Sequence, residues 1–104
     1  MGEKVVALVG DLMDRSRITT AAPGVAFASE AAGCGGADVV LVDLARHADQ
    51  VAAIRAQSSS VRIVAFGPHV DHALLDNARR DGADVVVPRS QFFRNPGAAL
   101  FEGI

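Results

Sequence analysis

Apolar residues gather in four short Val-rich runs, Val5–Val9, Val39–Leu44, Val61–Phe66 and Val85–Val87. None alternates apolar with polar positions as a half-exposed strand would. Runs of this length and composition predict strands buried on both faces, the pattern of a parallel sheet. Val25–Ala28 predicts a weaker additional strand.

Helical stretches separate the runs. Asp11 is placed to N-cap a helix that runs through Arg17 and Ile18 and stops at Pro23-Gly24. Ser29 caps a stub over Glu30–Ala32, cut off by Gly33, Gly35 and Gly36. From His47 to Gln57, Ala48, Val51 and Ile54 share a face, with Arg55 and Gln57 pointing outward. From Val70 to Asp81, the buried series is Val70, Leu74 and Ala78. Arg79 and Arg80 suit the dipole of that helix's last turn, and Gly82 is its C′ residue. Asn95-Pro96 has N-cap and N1 chemistry and opens a last short helix through Leu100. Strands alternating with helices give a parallel sheet with helices on both faces. Five strands joined by right-handed crossovers give the flavodoxin-like three-layer sandwich, order 2-1-3-4-5, with shortened N-terminal helices.

The length of 104 residues fits one domain, residues 1–104, with no linker, repeat or low-complexity segment. Hydrophobic residues make up 50% and charged residues 21%, which excludes a disordered chain. The net charge of −2, with Arg79-Arg80 the only basic pair, argues against nucleic acid. No run approaches the roughly 20 apolar residues of a membrane span, and the first residues lack signal-peptide character. The expectation is a cytoplasmic protein. A single cysteine, Cys34, excludes a disulfide framework, and it has no basic neighbour in sequence to activate it.

Ligands of an open α/β sheet sit beyond the carboxyl ends of the strands, at the topological switch point. The residues there are Asp11 after the first strand and Asp43 at the end of the third. Neighbouring strands lie about 4.8 Å apart, so the two carboxylates face one crevice. Gly67 and Arg89 fall on the same rim. Two acids and a base suit Mg²⁺-assisted phosphoryl chemistry, with Asp11 and Asp43 as candidate metal ligands and Asp43 as a candidate nucleophile. The alternative is that Asp11 is an N-cap and Asp43 a loop acid bonded to backbone.

Other motifs lead less far. His69 and His72 have helical i, i+3 spacing but no third ligand for a metal, and His47 stands alone. Gly10-Asp11-Leu12-Met13-Asp14-Arg15 places an acid where a nucleotide phosphate would approach, so no dinucleotide or ATP loop is indicated. Asp11 and Asp14 are three apart, which does not fit the paired acids of haloacid-dehalogenase-like phosphatases.

Two stretches resemble the receiver domains of two-component response regulators. Asp38-Val-Val-Leu-Val-Asp43 is similar to the strand that ends in the phosphoacceptor Asp, and VRIVAFGPHVDHALLDNARRDGAD (61–84), continuing VVVPRSQFF, is similar to the fourth strand through the Lys-Pro turn. The resemblance is good from Ala37 to Ser90 and looser before it. It implies Asp43 as phosphoacceptor, Asp11 as Mg²⁺ ligand and Arg89 in place of the family Lys. It also marks departures: Gly10 replaces one of two acids, Gly67 replaces a Thr or Ser hydroxyl, and Ser90 replaces Pro. The implied function is a bacterial, stand-alone, non-enzymatic pseudo-receiver that acts through a protein partner or self-association with a degenerate phosphorylation site. The alternatives are a working Mg²⁺-dependent phosphoacceptor in a phosphorelay, or a small-ligand or metal-binding domain on the same fold. By the same resemblance Arg79, Arg89, Phe92 and Phe93 mark the candidate interaction face.

Overall fold

The computed structural model describes residues 3–102. The elements run β1 (Val5–Leu8), α1 (Leu12–Ala21), β2 (Ala26–Phe27), a 3₁₀ turn (Ala31–Cys34), β3 (Val39–Asp43) and α2 (Leu44–His47). A second 3₁₀ turn (Ala48–Gln50) leads to α3 (Val51–Gln57), β4 (Arg62–Gly67), α4 (His72–Arg80), β5 (Val85–Pro88), α5 (Arg89–Arg94) and α6 (Pro96–Phe101). The five strands are all parallel, in the order β2-β1-β3-β4-β5. This is the flavodoxin-like order that the pattern of runs predicts.

The strand residues divide cleanly between two cores. Val6, Leu8, Val40, Val42, Ile63 and Ala65 face a layer made of the first 3₁₀ turn, α2, α3 and α4. Val5, Ala7, Leu41, Val64, Phe66 and Val87 face the layer of α1, α5 and α6. Both sides of each central strand are thus buried, which explains why the strands are Val-rich without alternation. No helix among the described residues is long and apolar enough to cross a membrane.

The caps act largely where the sequence places them. Asp11 accepts from the Asp14 amide at 2.9 Å and Asn95 from the Ala98 amide at 3.2 Å, with Pro96 behind it at the helix start. At the end of α4, the Gly82 amide donates to the Arg79 carbonyl and the Ala83 amide to the Ala78 carbonyl. This paired closure needs the left-handed backbone that Gly82 supplies at φ +116°.

The structure corrects several boundaries. The cap of α4 is Asp71, so Val70 lies outside the helix and is 72% exposed; Leu75 and Ala78 carry the buried face. The helix expected from His47 starts three residues earlier and breaks at Ala48–Gln50, where Gln50 turns its side chain to accept from the Ala31 amide. The sequence pattern does not predict helix α5. Its six residues are too few for a periodic signal, and it forms because Phe92 inserts into the core.

Arg55 also departs from expectation. It does not point to solvent but gathers the loops below the sheet. Its guanidinium donates to the carbonyls of Ser58, Ser59, Val61 and Gly82 and pairs with Asp84 at 2.8 Å. Asp84 in turn accepts from the Ile63 amide at 2.8 Å. A planar fork is required, because an ammonium cannot reach carbonyls on two sides. Arg55→Ala is expected to cost about 2–4 kcal/mol, measured by urea unfolding, with Arg55→Lys recovering less than half. A loss no larger than that of an exposed-residue control would show the clamp to be dispensable.

An acidic crevice with an internal ion pair

The carboxyl ends of β1, β3, β4 and β5 meet in a crevice of about 220 Å³. Asp11, Asp14, Asp43, Arg46, Gly67 and Arg89 line it. A larger depression lies at the opposite end of the sheet, around Val5, Val25 and Phe101, and its lining is mostly apolar.

Asp43 is the last residue of β3 and the first cap of α2. Its Oδ1 accepts from the Ala45 amide at 3.1 Å. Strand and helix follow without a loop, and the carboxylate is left 6% exposed at the floor of the crevice. Burial pushes its pKa above the ordinary carboxylate value. The Ala45 amide and the Arg89 charge oppose that shift, and the neighbouring Asp14 charge adds to it.

Arg89 opens α5 directly after β5 and reaches back to α1, where it meets Asp14. One guanidinium nitrogen donates to Asp14 Oδ2 at 2.7 Å and the other to Oδ1, a two-pronged contact between residues 75 positions apart. Asp14 is 2% exposed. Below the guanidinium lies the Phe93 ring, its centroid 4.8 Å away, and Phe93 packs edge-on against Phe66 and Phe92. Bonding to Asp14 is the main reason the Arg89 pKa is raised further, against the cost of its partial burial.

The sequence places Asp11, Asp43 and Arg89 on one rim, and the structure brings all three to the crevice. It adds Asp14, which the sequence offers only as half of an acid pair with the wrong spacing. The signal was present: Asp14, Ile18 and Ala22 fall at i, i+4 and i+8, and all three are buried. Leu12 and Met13, the apolar residues beside them, are 78% and 70% exposed. A helix that turns an acid inward and its hydrophobes outward has an ionic partner in the core.

The crevice as it stands offers a Mg²⁺ ion no more than one free oxygen each from Asp11 and Asp43 and none from Asp14. Both oxygens of Asp14 are committed to Arg89, Asp11 is exposed and holds the Asp14 amide, and Asp43 caps α2. Among the described residues no group of three or more His, Cys, Asp or Glu has metal-holding geometry. Positive charge at this site comes from Arg89, bound to Asp14, and from Arg46 on the rim.

Of the candidate interaction face, Phe92 is corrected: it is wholly buried, stacked on Phe66 with centroids 5.0 Å apart. Phe93 is half-buried between the guanidiniums of Arg17 and Arg89. Arg79 is exposed, pairs with Asp76 at 2.8 Å and donates to the Val86 carbonyl at 3.3 Å. Cys34 is buried and its thiol pKa is raised by burial, so it is not an activated nucleophile.

The buried Asp43 charge has a stability consequence. Its folded-state carboxyl takes up a proton more readily than the unfolded chain does, so stability from this group falls as pH rises from the ordinary carboxylate value through the raised one. Asn caps a helix as well as Asp. Asp43→Asn is therefore expected to stabilise the protein at neutral pH by about 1 kcal/mol, or about 4–8 °C in Tm. The gain should shrink as pH falls to about 4, near the ordinary carboxylate pKa. Thermal melts across that range would show it, and a lower Tm for the variant at neutral pH would refute it.

No protein-family sequence model matches the chain, and no curated protein sequence does. Solved structures do. A response regulator receiver domain protein from Clostridium thermocellum matches with a TM-score of 0.80 at 16% identity, over 99% of this chain and 94% of that one. A response regulator from Burkholderia pseudomallei, solved with a phosphorylated aspartic acid, a calcium ion and citrate, gives 0.79 at 16% identity, over 95% of this chain and 66% of that one. The phosphorylated cyanobacterial phytochrome response regulator RcpA gives 0.77 at 12% identity, over 94% and 91%. The overlap spans nearly the whole chain, and the chain has the fold of a response regulator receiver domain.

Proposed function

We propose that residues 1–104 form one receiver-like signalling module of a two-component system, cytoplasmic and without turnover of its own, whose output passes through a protein partner or self-association. Its crevice is held in one state by its own ion pair and not by a phosphoryl group. The observation that carries this reading is the two-pronged contact of Arg89 with the buried carboxylate of Asp14. The Burkholderia pseudomallei protein was solved with a phosphorylated aspartic acid and a calcium ion. Here the base that would meet such a phosphoryl group is already paired.

Two further features support the reading. Gly67 ends β4 with no hydroxyl to offer, and a Cβ there would lie 3.2 Å from Leu75 Cδ2, so the helix packs into the space a larger residue would take. Gly10 offers no second carboxylate beside Asp11. The remaining surface suits contact with a partner: Arg79 on α4, and Phe93 with Arg17 on the opposite layer.

The rival reading makes Asp43 a phosphoacceptor, with Mg²⁺ held by Asp11 and Asp43 and the phosphoryl charge met by Arg89. The position of Asp43 at the floor of the crevice favours it. An amide-shift titration of the protein with Mg²⁺ and then beryllofluoride separates the two, with Asp43→Asn as control. The expected result is no saturable shift around Asp11, Asp43 and Arg89 at millimolar Mg²⁺. Saturable shifts that vanish in Asp43→Asn would overturn the closed-crevice reading and make the chain a phosphoacceptor.

A further inference from the structure

Three departures separate the crevice from one that would hold a divalent cation and a phosphoryl-type anion, and they are physically unequal. Gly10 is a missing donor and not an obstruction: a Cβ built there meets nothing within 4 Å. Mg²⁺ is commonly held by only one or two protein carboxylates, with water and ligand oxygens completing its shell. Asp11 and Asp43 meet that requirement in number. Gly67 is a missing hydrogen bond, which weakens binding without blocking it. Asp14 is different in kind. It is an anion already seated on Arg89, the base nearest the floor of the crevice to receive the ligand.

The geometry occupies the outer fork of the guanidinium. A guanidinium presents its donors as a fork, and the same fork matches a carboxylate or a phosphoryl oxygen pair. Both outer nitrogens of Arg89 are bound to the two Asp14 oxygens. The Phe93 ring lies against one face of the guanidinium and limits its swing. A second anion brought to Asp43 would meet the charges of Asp11 and Asp43 with Arg89 already neutralised by Asp14. Space does not forbid it: the crevice of about 220 Å³ exceeds several waters at about 30 Å³ each.

We propose that Asp14 is the specificity-determining residue of this crevice. By holding both arms of Arg89 it excludes tetrahedral phosphoryl-type anions from Asp43, and removing its charge alone opens the crevice to such an anion together with a divalent cation on Asp11 and Asp43. This rests on the reading of the chain as a receiver-like module with a closed crevice. It goes further in assigning the closure to one side chain and not to the absent acid or hydroxyl.

The test is Asp14→Asn, which preserves shape and removes the charge. The probe is beryllofluoride with Mg²⁺, in which a carboxylate oxygen supplies the fourth donor to beryllium. Apparent affinity, read from amide shifts and from the rise in Tm, should increase by about ten- to a hundredfold over the unaltered protein, the equivalent of one charge-assisted hydrogen bond. The gain should disappear when Asp43→Asn is added. Because Asp14→Asn leaves Arg89 without its partner and risks poor folding, Arg89→Lys is the second arm. It keeps a cation but loses the fork, so it too should bind the probe more tightly than the unaltered protein. If the unaltered protein binds the probe as tightly as either variant, the closed-crevice reading itself fails. If it is silent and a folded variant is equally silent, that reading stands and the assignment to Asp14 is overturned.

Discussion

One ion pair organises the functional end of this molecule. Arg89 leaves the end of β5, crosses the crevice and closes on Asp14 in the first turn of α1. The acid is buried and the guanidinium side chain is 46% exposed, so the pair is half in water. Such a pair adds less to stability than its short contacts suggest, because desolvating the carboxylate offsets most of the attraction. Its larger effect is on geometry. It ties the start of the first helix to the end of the last strand and fixes the Phe93 ring under the guanidinium. It also sets the charge that every other group in the crevice meets, which is why Asp43 feels Arg89 and Asp14 with opposite sign.

The rest of the fold tolerates its abbreviation because the central sheet is independent of it. Strand β2 has two residues, and a 3₁₀ turn stands where a full helix would lie, yet β1, β3 and β4 remain buried on both faces. Ala31 and Cys34 from the turn reach the same core as α3 and α4. Gln50 holds the turn by its Ala31 amide, a side-chain bond in place of helix packing. At the other end of the strands, Arg55 gathers four loop carbonyls that would otherwise need water or longer elements to satisfy them.

What the sequence discloses follows from the range of the interactions concerned. The parallel sheet and its order are legible because burial on both faces leaves Val-rich runs, and because crossover handedness leaves few topologies. The cap at Gly82 is legible because a left-handed closure is local chemistry. Val70 misleads because an apolar residue at helical spacing is indistinguishable from a core residue until the Asp71 cap starts the helix after it. Arg55 misleads for the complementary reason, since a cation on a helix reads as solvent-facing when its acceptors are loop carbonyls, three just past the helix and one 27 positions away. Asp11, Asp43 and Arg89 are legible as a rim because strand ends define it. Asp14 is legible only as an acid in line with Ile18 and Ala22, because its partner lies 75 residues on and the spacing does not name it.

Asp43 then poses a question of economy that the local structure answers only in part. As a cap for α2 it serves one amide, and an Asn would serve that amide without a buried charge. Burial moves its pKa in the direction that disfavours the charged form, so the carboxylate lowers stability at neutral pH. A charge held against its own solvation is held by its neighbours: here the Ala45 amide first, then the charges of Arg89, already paired with Asp14, and of His47. The two acids therefore compete for a single guanidinium. Asp14 has it because α1 brings both its oxygens to the fork, while Asp43 is turned toward the start of α2. The state of the crevice is decided by that competition, and whatever changes the charge on Asp14 changes what Asp43 is able to bind.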